Sequence, residues 1–192
     1  MPPIKIICID PGHGGGIRQV INGYAREQDI ALAISYALYW WFSIDSTLKV
    51  YLTRSGREYI SQKGRADFSN IHKSNLFVSI HCNAPSENDM WRRDRISGIE
   101  TLYYLNSTSG EKLASCIQDE LIATFPSHKD RGIKPRPSSS GGNIYVLKYT
   151  NCPSVVVETE FLTNDRMKKF LLNNTGEIAQ AIYNGIVDYL VL

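Results

Sequence analysis

Ile4-Lys5-Ile6-Ile7-Cys8-Ile9 runs directly into Asp10-Pro11-Gly12-His13-Gly14-Gly15-Gly16. Apart from Lys5, the stretch is apolar, which is the pattern of a buried strand. It ends in a histidine held on a glycine-rich turn, which reads as one corner of a metal site. Two further candidate ligands lie downstream: Glu27, where a helical pattern begins, and His81, where the run Leu76-Phe77-Val78-Ser79-Ile80 terminates. Zinc is commonly held by nitrogen and oxygen ligands of this kind, with an exchangeable water completing the set. A carboxylate able to act as a base ends a later run, Val155-Val156-Val157-Glu158. The residues therefore point to a zinc hydrolase.

Outward from this strand, the pattern alternates. Gly14 to Ala25 reads as a loop, and a helix starts at Glu27 with Ala31, Ile34, Tyr36 and Leu38 on or near one stripe. Leu48 to Thr53 reads as a strand, Ser61 to Lys73 as a helix with Arg65, Ala66, Phe68 and Ile71, and Leu76 to His81 as a strand. A polar insertion, Pro85 to Ser97, precedes a strand from Gly98 to Tyr104 and a helix from Ser109 to Phe125. Pro126 to Asn143 reads as a long irregular segment, Asn143 to Leu147 and Ser154 to Glu158 as strands, and about Thr175 to Leu190 as the last helix. Strands alternating with helices predict one α/β domain over residues 1–192, a mainly parallel twisted sheet of about six strands with helices on both faces.

The length of 192 residues with 43% hydrophobic content suits a single sizeable core. A net charge of +2 is too mild to argue for nucleic acid, though it suits an anionic polymer such as a cell wall. No apolar stretch reaches the roughly 20 residues of a membrane helix, and Met1-Pro2-Pro3-Ile4 lacks the regions of a secretory signal. The expectation is a chain made in the cytoplasm, with no membrane insertion, that acts on the wall after release or lysis. Cys8, Cys82, Cys116 and Cys152 are scattered singly and read as reduced core residues. Cys82 adjoins His81 and is expected to turn to the opposite strand face.

In an open α/β sheet, ligands gather beyond the carboxyl ends of the strands, which brings His13, His81 and Glu158 to one rim. His72, inside a helical pattern, and His128, in a polar loop, read as ordinary residues. Taken alone, Glu27 reads equally well as an acidic residue at a helix start. Glu158 and Glu160 both qualify as the base, since residues two apart share a strand face.

The motifs Asp10-Pro11-Gly12-His13-Gly14-Gly15, Glu27, Ser79-Ile80-His81-Cys82-Asn83-Ala84 and Val157-Glu158-Thr159-Glu160-Phe161-Leu162-Thr163-Asn164 resemble, in order and spacing, the zinc-dependent N-acetylmuramoyl-L-alanine amidases of the type 3 class. Leu52-Thr53-Arg54, Gly98-Ile99-Glu100-Thr101, Arg131-Gly132-Ile133-Lys134 and Tyr145-Val146-Leu147 before Cys152-Pro153-Ser154 add lesser similarities. The resemblance implies zinc (Zn2+) on His13, Glu27 and His81, Glu158 as the catalytic glutamate, and cleavage of the amide joining N-acetylmuramic acid to L-alanine in peptidoglycan. Glu160 stands where the family usually has a small residue. Only a short helix and loop separate Tyr104 from Arg131, and the expectation is a catalytic domain without an appended wall-binding domain, similar to a phage lysin or sporulation amidase. Asn83, Trp91, Arg131 and Lys134 are candidate substrate contacts. A zinc exopeptidase and an inactive wall-binding module are the rival readings.

Overall fold

The computed structural model describes residues 5–16, 19–45, 47–137, 139 and 144–191. Six strands form one sheet: β1 (Lys5–Pro11), β4 (Leu48–Leu52), β5 (Leu76–Asn83), β6 (Ile99–Tyr104), β7 (Asp130–Arg136) and β8 (Ser154–Phe161). Their spatial order is β4-β1-β5-β8-β6-β7. The first four run parallel, and β6 pairs antiparallel with β8 and parallel with β7. β5 and β8 are buried almost throughout, which explains their continuous apolar reading.

Successive strand residues divide between two cores. Ile7, Ile9, Val78, Val155 and Val157 face the larger one, built with α1 (Glu27–Ser43), α3 (Thr108–Thr124) and α6 (Thr175–Val191). Cys8, Phe77, Leu102 and Val156 face the smaller one, together with Phe68 of α2 (Gln62–Ile71) and Val146 and Leu147 of α4 (Ile144–Tyr149). Helices therefore cover both faces. On α1 the buried stripe is Ile30, Ala31, Ile34, Leu38 and Phe42, whereas Tyr36 lies off it and is exposed; Ile71 likewise points outward from the end of α2.

The local structure departs from the sequence pattern at several places. The segment predicted as a strand at Asn143 to Leu147 is helical from Ile144, while Asn143 itself lies outside the described residues. Both sides of β8 are already paired, by β5 and β6, so Val146 and Leu147 find burial by packing as a helix over the smaller core. The irregular segment Pro126 to Asn143 contains β7, whose Asp, Gly, Lys and Pro residues hide its strand character. Pro135 is tolerated there because β7 is an edge strand. The loop from Gly14 to Ala25 holds a small hairpin, β2 (Ile21–Asn22) and β3 (Ala25–Arg26), turned by Gly23 at a φ of 62°. The insertion Pro85 to Ser97 folds as a 3-10 segment, Glu87–Arg95, and an unforeseen helix, α5 (Asp165–Asn173), follows β8 behind the Asn164 cap.

Candidate active site

Because β1, β5 and β8 run in the same direction, their carboxyl ends open on one rim. His13 follows β1, His81 lies near the end of β5, and Glu158 is its cross-strand partner on β8. Glu27 arrives from the first turn of α1. His13 Nε2 and His81 Nδ1 each lie 3.0 Å from Glu27 Oε1. The three side chains form a group whose ligand atoms all lie within 4.8 Å of one another. Donors about 2.0–2.2 Å from one tetrahedral metal sit roughly 3.3 Å apart, a spacing that the two 3.0 Å approaches to Glu27 Oε1 come close to.

Each member is held by backbone contacts. Glu27 Oε2 accepts from the Val20 amide at 2.9 Å, and Oε1 from the Cys82 amide at 3.0 Å. Burial pushes this carboxyl up, but the hydrogen bonds and charges of His13 and His81 outweigh it and hold Glu27 at about 2. The His81 ring packs on the α-carbon of Gly12, where a methyl group would approach the ring to 2.5 Å. That position therefore admits only glycine. His13 adopts a φ of 58°, a left-handed backbone that needs external support.

Two buried arginines supply the support, neither of them marked as part of the site by the sequence alone. Arg54 donates to the carbonyls of Pro11 at 2.9 Å, Gly12 at 2.7 Å and Gln28 at 2.8 Å. Arg65 donates to the Pro11 carbonyl at 2.7 Å, to the His13 carbonyl, and to Asp10 Oδ1 at 2.6 Å. Asp10 also accepts from Thr53 at 2.5 Å and Ser79 at 2.6 Å. The signal that marks Arg65 is its place among the apolar positions of α2, since an arginine on a buried stripe needs a partner. Gln28 fastens the glycine turn to α1, accepting from the Gly16 amide at 2.9 Å.

Glu158 and Glu160 do not share their surroundings. The register between β5 and β8 shifts between His81 and Asn83, placing an irregularity in the strand just past Glu158. Glu160 is fully buried and accepts from the amides of Gly98 at 2.8 Å and Phe161 at 2.9 Å, with His128 Nδ1 3.0 Å away. Glu158 is also buried, yet its Oε2 has no hydrogen-bond partner. Burial pushes Glu158 up to about 7, with Glu27 and Glu100 adding to the rise and His81 and Arg136 opposing it. Cys82 faces away from the cluster toward Thr159, 3.8 Å off, and burial holds its thiol far above the ordinary range. All four cysteines are unpaired; Cys8 and Cys82 are buried, while Cys116 and Cys152 are half-buried.

The other candidate contacts separate. Asn83 and Arg131 line a groove of about 370 Å³ beside the cluster. Both bind Glu100, Asn83 at 3.0 Å and Arg131 at 2.6 Å. Trp91 is 78% exposed, Lys134 is exposed on β7, and neither lines that groove. His72 packs against Tyr51 and Phe68 in the smaller core's border.

A parallel-centred α/β sheet carrying a His–Glu–His cluster that could hold a metal, beside a buried carboxylate with one unpartnered oxygen, defines the class of domain. Residues 7–188 match the N-acetylmuramoyl-L-alanine amidase family. The chain belongs to that family. It is 32% identical to N-acetylmuramoyl-L-alanine amidase LytC of Bacillus subtilis over 96% of its own length and 35% of LytC's, so it spans about a third of that relative. The germination-specific N-acetylmuramoyl-L-alanine amidase of B. subtilis is 28% identical over 96% of the chain and 79% of its own length. The crystal structure of an N-acetylmuramoyl-L-alanine amidase from Clostridium difficile 630 superposes with a TM-score of 0.86 at 30% identity, covering 97% of both chains.

Proposed function

We propose that this domain hydrolyses the amide between the lactyl group of N-acetylmuramic acid and the L-alanine of the peptidoglycan stem peptide, using zinc held by His13, Glu27 and His81. The observation that carries this reading is the meeting of those three ligands with the unpartnered oxygen of Glu158 at one rim. Family membership over residues 7–188 and the similarity to the amidase LytC support it.

When bound, zinc supplies Lewis acidity toward the scissile carbonyl and makes a nearby water more acidic. Glu158 accepts a proton from the attacking water and returns it to the departing nitrogen. A carbon–oxygen bond forms, the carbon–nitrogen bond breaks, and the products are the lactyl carboxylate and the free amine of L-alanine. Glu27, His13 and His81 keep fixed positions because Val20, Cys82, Arg54 and Arg65 hold the segments that carry them. Glu160 is not the base in this scheme, since its Oε2 serves the Gly98 and Phe161 amides and its Oε1 faces His128 Nδ1. We place the site of action at the cell wall, reached after release or lysis.

Incubating the zinc-loaded protein with purified muropeptides, and locating the broken bond by mass spectrometry, tests the reading. Release of intact stem peptide with a free L-alanine amine is expected. Cleavage inside the stem peptide indicates an exopeptidase or endopeptidase instead.

A further inference from the structure

The groove beside the ligand cluster has a composition that the hydrolytic scheme does not use. Its cationic lining residues are Arg92, Arg95, Lys129 and Arg131, against one acidic residue, Asp89. Two of the cations are already paired: Arg92 with Asp89 at 2.5 Å and Arg131 with Glu100 at 2.6 Å. Arg131 also lies over the Phe161 ring, its guanidinium carbon 4.9 Å from the centroid. Arg95 and Lys129 make no ion pair among the described residues, so the groove carries unneutralised positive charge.

Its position relative to the reacting centre sets the distance at which a ligand group is met. Asn83 lies two residues beyond His81 on β5, and Phe161 three beyond Glu158 on β8. At about 3.3 Å per strand residue, the groove begins roughly 7–10 Å past the His81 and Glu158 pair. An extended peptide advances about 3.3–3.6 Å per residue. A chain leaving the scissile amide along the strand direction therefore reaches the groove with its second or third residue.

We infer that the groove is a carboxylate subsite for the stem peptide, in which Arg95 and Lys129 meet the free α-carboxylate of the γ-linked glutamate at the second position. The inference rests on the amidase reading for the direction of the peptide. It makes the domain selective: stem peptides with a free carboxylate there are preferred over those carrying a carboxamide. Hydrogen bonds from an ionised donor to an ionised acceptor are shorter and stronger than those to a neutral amide. Arg131, tied to Glu100 and stacked on Phe161, acts as the fixed wall rather than the variable charge.

The test compares two soluble muropeptides that differ only in carboxylate or carboxamide at the second residue. The zinc-loaded wild type is expected to show kcat/KM on the order of tenfold higher for the carboxylate, what one charge-assisted hydrogen bond contributes. The double variant Arg95→Ala/Lys129→Ala should bring the carboxylate substrate down to the carboxamide value, chiefly through KM. Equal kcat/KM for both substrates in the wild type overturns the inference, as does a double variant that keeps the preference. A loss confined to whole walls, with the soluble pair unchanged, also overturns it and assigns these charges to an anionic wall polymer. Calorimetric binding of the free stem peptide to Glu158→Gln protein, with and without Arg95→Ala/Lys129→Ala, gives a readout without turnover. If no muropeptide is hydrolysed, the amidase reading fails separately, and a tenfold weaker Kd in the triple variant still upholds the groove.

Discussion

The two walls of the rim are built in opposite ways. On one, His13, Glu27 and His81 are tied through backbone carbonyls and amides to Arg54, Arg65, Val20 and Cys82, nearly all of it buried. On the other, the Glu87–Arg95 segment contributes no buried residue and is held by surface pairs such as Arg92 with Asp89. Ion pairs at exposed sites contribute about 0–1 kcal/mol each, whereas removing one partner of a buried pair costs about 3–5 kcal/mol. The contrast separates tasks. A reacting centre requires donors fixed to fractions of an ångström, while a recognition wall can bind through charges that adjust.

Substitutions on the two walls should therefore differ in kind. The largest effect belongs to Glu158, at the seam: Glu158→Gln should lower kcat by about 10²–10⁴-fold with zinc content and fold preserved, the range general base catalysis supplies. Glu160→Gln should lower thermal stability more than kcat, because it weakens an acceptor for two buried amides. Steady-state kinetics with parallel melting curves check both, and a reversal of their ranks breaks the assignment of the base. On the buried wall, Arg65→Met leaves Asp10 without its countercharge and should cost about 3–5 kcal/mol, read from denaturant unfolding. A loss below 1 kcal/mol would mean that this wall is no more constrained than the other.

A smaller effect follows from protons. The Glu158 carboxyl is raised from 4.5 to about 7 on folding, so the native state binds its proton more tightly than the unfolded chain. Its contribution to stability is complete below about pH 4.5 and declines as pH rises through about 7. Glu27, lowered from 4.5 to about 2, contributes above about pH 4.5 and loses that contribution as pH falls toward 2, so the two windows are separate. The melting temperature of metal-free protein should decline between pH 4.5 and 7, and Glu158→Gln should flatten that decline. The smallest effect belongs to the exposed wall: Trp91→Ala should raise KM for muropeptides by about two- to tenfold, the range an aromatic contact supplies, with zinc and stability unchanged.

What could be read from the chain divides along the same line. The strands that carry or lead to His13, His81 and Glu158 are largely buried on both faces, and their predominantly apolar runs mark them plainly. Their parallel direction then brought the three residues to one rim without any further information. The support was less legible. Arg54 and Arg65 act through carbonyls of a left-handed turn, and only the fold closes the 42 to 54 residues of sequence that separate them from it. The choice between Glu158 and Glu160 depends on an irregularity in strand pairing that period-two alternation cannot anticipate. β7 and α4 escape the sequence pattern for complementary reasons: an edge strand needs little strand propensity, and Tyr145-Val146-Leu147 has a strand-like composition that burial over the smaller core turns to helix.

The metal centre is the claim on which the rest depends, and zinc stoichiometry tests it most directly. Protein stripped of metal, dialysed against zinc and analysed by atomic emission should hold about one zinc per chain in the wild type and in Glu158→Gln. His13→Ala, Glu27→Ala and His81→Ala should each fall well below that, with activity lost in step. Full zinc occupancy and activity in His81→Ala would contradict the account.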